Sequence, residues 1–138
     1  LGALAVCDQP SHATFEAIYR ALEAESVDRI GRMKTQLLVI PLHDAAGAVF
    51  GGFWGCTNFE WLHIQMLLVP EALRGQGLGA ALLDAAEAEA RARHCRGAHV
   101  DSFSFQAVGF YEKCGYVQFG RLPDFPPGYS QHYLFKRL

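Results

Sequence analysis

Arg74-Gly75-Gln76-Gly77-Leu78-Gly79 stands between an apolar, strand-like run, Leu62 to Val69, and a helix-like run that begins at Leu78. A helix starting there carries unpaired backbone N–H groups and a positive dipole end at its first turn, and glycines let an anion approach those groups closely. Arg74 adds a cation with a fork of donors suited to a diphosphate. The run after that helix, Ala98 to Phe103, is again strand-like. Strands joined through a crossover helix run parallel, so the chain must build a parallel strand pair with an anion cradle at the head of its crossover helix.

The other segments fit a sheet around that pair. Ala3 to Cys7 suits a short first strand, and Pro10-Ser11 supplies a stop and then a helix cap. Phe15, Ile18, Tyr19 and Leu22 recur at helical spacing and predict an amphipathic helix over Ala13 to Glu25. Gln36 to Leu42, Ala48 to Thr57 and Glu60 to Val69 predict an antiparallel meander, with Asp44 and Gly47 in its first turn and Asn58-Phe59 in its second. Gly51-Gly52 marks a bulge or a close approach by another backbone. On the crossover helix, Leu78, Ala81, Leu82 and Ala85 line one face and Asp84, Glu87 and Arg91 another. Ala107 to Cys114 predicts a short helix stopped by Gly115, and Tyr116 to Arg121 and Gln131 to Leu138 predict two last strands. The expected fold class is α/β with a mixed sheet, an antiparallel meander plus a parallel pair flanked by helices, in a single domain over residues 1–138.

With 51% hydrophobic and 19% charged residues, a chain of this length can bury one sizeable core. The formal charge of -2 gives no basic footprint for nucleic acid or an anionic membrane. Its longest apolar runs are strand-sized, short of the roughly 20 residues of a membrane span. Cys7, Cys56, Cys95 and Cys114 are scattered without a C-x-x-C pair, so they are expected to be reduced thiols of a cytoplasmic protein, and no metal site is expected. The chain starts at Leu1 without a methionine or a signal-peptide pattern, so its first strand could be incomplete.

This order of elements, with V-P-E-A-L-R-G-Q-G-L-G at Val69 to Gly79 and A-V-G-F-Y-E-K-C-G-Y at Ala107 to Tyr116, resembles the GNAT superfamily of N-acetyltransferases. The family's pyrophosphate signature falls on Arg74, Gly77 and Gly79, and its second signature on Ala107, Phe110, Tyr111, Lys113, Gly115 and Tyr116. The resemblance spans about the whole chain and is specific from Trp61 to Tyr116. It implies acetyl-CoA as co-substrate. The strand before the glycine loop would splay from its parallel neighbour at a bulge, and the pantetheine arm would lie along the backbone of Leu67, Leu68 and Val69 like an added strand. The amides of Arg74, Gly75, Gln76, Gly77, Leu78 and Gly79 would take the pyrophosphate, and an amide in the splay would stabilise charge developing on the acetyl oxygen. Tyr111 matches the tyrosine that protonates or hydrogen-bonds the departing thiolate. Many relatives place asparagine against the pantetheine three residues before the motif alanine; here Ser104 stands there, a shorter group that could act as a helix cap.

The implied reaction is direct acetyl transfer, in a ternary complex, to a primary amine of a small molecule or peptide. Such amines have pKa values near 10.4 and must lose a proton. Candidates for its acceptor are His63, Asp101 and Glu60, with His63 first because an unperturbed pKa near 6.5 suits neutral pH. Alternation puts Trp61, His63 and Gln65 on one face of their strand and Glu60, Leu62 and Ile64 on the other. Two or three of Trp54, Phe59, Trp61, Phe103, Phe125 and Tyr129 could line an acceptor pocket. A dinucleotide-binding domain is the rival enzyme, since Gly75 to Ala80 satisfies G-x-G-x-x-A and Asp101 ends the next strand, but Pro70 to Arg74 intervene before the glycines and the meander cannot build repeated βαβ units. A non-catalytic acyl-CoA sensor would keep the cradle, and Tyr111 argues against it. Homodimers are common in the family, and the C-terminal strand is expected to offer an exposed edge for one.

Overall fold

Ser11 starts the first helix as its capping chemistry requires: its Oγ accepts a hydrogen bond from the Thr14 N–H at 3.2 Å, and α1 runs His12–Ile30. The helix outlasts its expected end at Glu25 because nothing breaks it before Gly31, whose N–H closes it on the Val27 carbonyl at 2.9 Å. The strand expected at Ala3 to Cys7 does not form; a strand exists through its ladder, and these residues make none. The computed structural model describes residues 1–138 and contains two units, Leu1–Met33, which holds α1, and Lys34–Leu138, which holds every later element.

In the second unit the strands are β1 (Gln36–His43), β2 (Val49–Asn58), β3 (Trp61–Leu68), β4 (Gly97–Phe103), β5 (Val117–Pro123) and β6 (Ser130–Arg137), with helices α2 (Leu78–Ala92) and α3 (Val108–Lys113). They form one mixed sheet in the order β1-β2-β3-β4-β6-β5. Only β3 and β4 pair in parallel, as the α2 crossover demands. The C-terminal strand is not an edge: β6 is inserted between β4 and β5, and the edges are β1 and β5. Asp44 builds the β1–β2 turn by accepting the N–H groups of Ala46 and Ala48 at 2.9 Å each. The Gly51-Gly52 pair is a close approach. A Cβ on Gly52, at φ 132°, would stand 2.2 Å from the Ile40 carbonyl oxygen, and one on Gly51 would stand 2.7 Å from that of Leu68.

The core joins Leu83, Ala86 and Ala90 of α2 to Leu62 and Ile64 of β3, Ala98 and Val100 of β4 and Leu134 of β6. Each fully buried leucine or isoleucine contributes about 2 kcal/mol. One residue departs from the expected pattern. Glu87, predicted on the polar face of the crossover helix, is only 2% exposed. It follows Leu83 by one turn and precedes Ala90 by another, so the apolar stripe is wider than its leucines alone suggest. The buried carboxylate is tolerated because it is paired: Oε1 accepts from the Tyr116 hydroxyl at 3.0 Å, and Oε2 lies 2.8 Å from Lys136 Nζ.

Candidate active site

β3 and β4 pair from Trp61 with Gly97 to Ile64 with Val100, and then part. Gln65 is the extra residue of a bulge, since Ile64 opposes Gly55 and Met66 opposes Trp54 on β2. Beyond it β3 stays on β2 as far as Leu68, while β4 stays on β6 as far as Phe103. The strands therefore diverge into a wedge, and the backbone of β3 from Gln65 onward has no strand partner on its β4 side. Leu67 packs its side chain against the core and Leu68 is exposed, so their main chain borders the wedge.

The cradle follows β3 in the chain, after the strand's open end. Gly77, at φ 81°, is the N-cap of α2, and the first helical bond runs from Ala81 N–H to the Gly77 carbonyl at 3.0 Å. The N–H groups of residues 75 to 80 have no acceptor in the protein. Arg74 donates Nε to the Val69 carbonyl at 2.9 Å, which ties the loop to the end of β3 and leaves its two terminal nitrogens available. Ser104 differs from expectation. It caps no helix, because Ala107 precedes α3; its Oγ accepts the Ser130 N–H at 3.1 Å and its own N–H reaches the Ser130 carbonyl at 2.8 Å.

Tyr111 is 5% exposed and is held between two rings, Phe110 at 5.1 Å and Tyr116 at 5.6 Å, each at an interplanar angle of 70°. Burial, followed by the nearby Cys114 and Asp101, pushes its pKa up to about 12. The phenol therefore stays protonated at any working pH. Full proton transfer to an ordinary thiolate, whose acid has a pKa near 8.5, would run uphill by about 5 kcal/mol, so the arrangement suits hydrogen-bond donation.

His63 and Asp101 come together, and a residue that spacing alone did not select joins them. His63 opposes His99 in the parallel ladder, and their rings stack at 4.5 Å and 7°. Asp101, two residues beyond His99 and so on the same face, places Oδ1 3.9 Å from His63 Nε2. Its Oδ2 accepts from Gln131 Nε2, and Gln131 Oε1 accepts from the Tyr133 hydroxyl at 3.0 Å. The signal for His99 is the register of β3 against β4, which sequence spacing does not contain. Glu60 is excluded from this group. It sits in the β2–β3 turn at φ 61° and pairs with Arg96, at the end of β3 remote from the wedge.

Burial, with a contribution from His63 that the Asp101 charge opposes, holds the His99 pKa below its usual value. The unfolded chain then binds more protons at this site, so the His99 contribution to stability is full above about pH 6.5 and falls as pH drops through that value. His63 and Asp101 are the titratable neighbours on this face. Melting temperature is expected to decline below about pH 6.5, and His99→Phe is expected to flatten that decline. An unchanged slope in the variant would assign it to other groups.

Residues 9–116 match the acetyltransferase (GNAT) family. The chain is 39% identical to an acetyltransferase of Agrobacterium fabrum over 123 residues, 89% of this chain and 90% of that protein. It is 43% identical to blasticidin-S acetyltransferase of Streptomyces morookaense over 93 residues, 67% of this chain and 68% of that one. A crystal structure of an acetyltransferase from Bacillus cereus shares the fold at a TM-score of 0.86 and 33% identity, covering 97% of this chain and 98% of its own. With the family signature, the wedge and the cradle in agreement, the chain belongs to the GNAT family of acetyltransferases.

Proposed function

We propose that residues 1–138 act as one acetyltransferase domain that passes the acetyl group of acetyl-CoA directly to a primary amine of a small molecule in a ternary complex. The observation that carries this reading is the wedge between β3 and β4, with free amides in the loop after the open end of β3, Tyr111 in the core and the His63–Asp101 pair on the face of β3 opposite the buried Leu62 and Ile64. The amides of residues 75 to 80 and the free nitrogens of Arg74 suit a pyrophosphate, and the backbone of Leu67, Leu68 and Val69 suits a pantetheine arm. Acetyl-CoA supplies an activated acyl group. His63 takes the acceptor's proton at Nε2, with the Asp101 carboxylate as the adjacent counter-charge. The Tyr111 hydroxyl donates a hydrogen bond to the departing sulfur. A relative that acts on blasticidin S favours a small acceptor over a peptide. Free thiols at Cys7, Cys56, Cys95 and Cys114 fit a cytoplasmic setting.

The test follows thiol release from acetyl-CoA across a panel of primary amines. Tyr111→Phe is expected to lower kcat by about ten- to a hundredfold while acetyl-CoA still raises the melting temperature, because the lost hydrogen bond forms to a charge that appears only as the sulfur leaves. An unchanged kcat would return Tyr111 to packing. Acetyl-CoA stabilisation without thiol release from any amine would instead support an acyl-CoA sensor.

A further inference from the structure

Resting on that reading, we infer that the acceptor is an elongated amine with a flat ring roughly 7–10 Å from its nitrogen, a spacing of two to three strand residues. Its ring would occupy a shallow, open trough lined by Trp61, His99, Phe119 and Phe135, about 390 Å³ on the face that carries His63 and Asp101. The indole of Trp61 reaches across β4: a Cβ at Gly97 would stand 2.5 Å from its Cζ3, so glycine at that position lets the ring lie against the strand. His99 and Phe135 tilt towards the indole at 6.2 and 6.3 Å, and Phe119 meets Phe135 edge-on at 5.7 Å. Tilted rings around an open hollow present the edges and faces that a flat ring packs against.

Position and charge then fix the substrate's direction. An adjoining hollow of about 440 Å³ shares Trp61 and His99 and continues to His63, so the trough connects with the reacting end rather than standing apart. The Arg137 guanidinium lies over the Trp61 ring, 5.3 Å from its centre, where β6 pairs with Gly97, and the Asp101 carboxylate lies four residues along β4, beside the wedge. A cationic amine is repelled at the first end and attracted at the second, so its nitrogen points to Asp101 and its ring to Trp61.

The experiment compares kcat/KM for benzylamine, phenylbutylamine, phenylhexylamine and butylamine, with acetyl-CoA saturating. One of the two longer aryl amines is expected to exceed both benzylamine and butylamine by about tenfold or more. Trp61→Ala should erase that advantage, its loss of kcat/KM for the longer aryl amines exceeding its loss for butylamine by about tenfold. Phe119→Ala, on the edge strand β5 with its side chain exposed, gives the same comparison if the tryptophan variant does not fold. Butylamine turnover with no advantage for an aryl amine, or an advantage that survives both substitutions, overturns this inference and leaves the acetyltransferase reading intact. No turnover of any amine, with acetyl-CoA still stabilising the protein, overturns both.

Discussion

His63→Gln is expected to lower kcat/KM for a primary amine by about a hundredfold or more at pH 7 and by less than about tenfold near pH 10. An alkyl ammonium with a pKa near 10.4 presents almost no free base at neutral pH, so its proton must pass to a group near the wedge. His63 offers Nε2 on the open face, 3.9 Å from Asp101 Oδ1, and glutamine keeps a polar group of similar reach there without accepting a proton at these pH values. As pH rises the amine deprotonates in solution and the variant's deficit should shrink. A structural histidine predicts a different pattern, in which the loss stays constant with pH and melting temperature falls with it. Asp101→Asn separates the pair further. It removes the counter-charge while asparagine can still bond to Gln131, so a loss smaller than that of His63→Gln is expected. If the aspartate variant is the more damaged, Asp101 is the base and His63 its neighbour.

Much of this site is written locally in the chain. The cradle depends on neighbouring residues: Gly75 and Gly77 adopt positive φ, the helix begins at Leu78, and Arg74 reaches back to the Val69 carbonyl five residues before it, so a short window of sequence contains the whole device. The meander is legible for the same reason, since its turns are built by Asp44 and by Phe59 and Glu60 at positive φ. What alternation and spacing do not hold is register. That His99 stacks on His63 follows from how β4 slides against β3, which is fixed by packing across the core and by the length of the α2 crossover. The position of β6 between β4 and β5 is a topological choice of the same kind, and it puts Gln131 beside Asp101 and Lys136 within reach of Glu87. Helical periodicity assigned Glu87 to the solvent side because a carboxylate is usually found there; Arg91, one turn on, is a local partner, but Tyr116 and Lys136, which let it be buried, come from segments far along the chain.

Glu87→Ala is expected to destabilise the protein by about 3 kcal/mol, which for a domain of this size lowers the melting temperature by about 10 °C. The substitution removes more than one bond. Lys136 Nζ loses contacts of 2.8 and 3.1 Å to the carboxylate, the Tyr116 hydroxyl loses its acceptor at 3.0 Å, and a small void opens beside Leu83 and Ala90. Lys136 can turn towards water, which limits the penalty, but Tyr116 is 3% exposed and its hydroxyl has no other partner. Because the Tyr116 ring braces Tyr111 edge-on at 5.6 Å, kcat should also fall below the melting transition, in the direction of Tyr111→Phe. Glu87→Gln keeps an acceptor for Tyr116 and gives up the charge facing Lys136 and, at 3.5 Å, the half-exposed Arg91, so it should lose about half as much stability and retain most of kcat. The double replacement Glu87→Leu with Lys136→Met should recover much of the stability lost by Glu87→Ala, since removing both charges avoids leaving either one unpaired. A Glu87→Ala melting temperature within about 2 °C of the wild type would mean that the cluster is hydrated in solution and carries neither the stability nor the bracing of Tyr111 assigned to it.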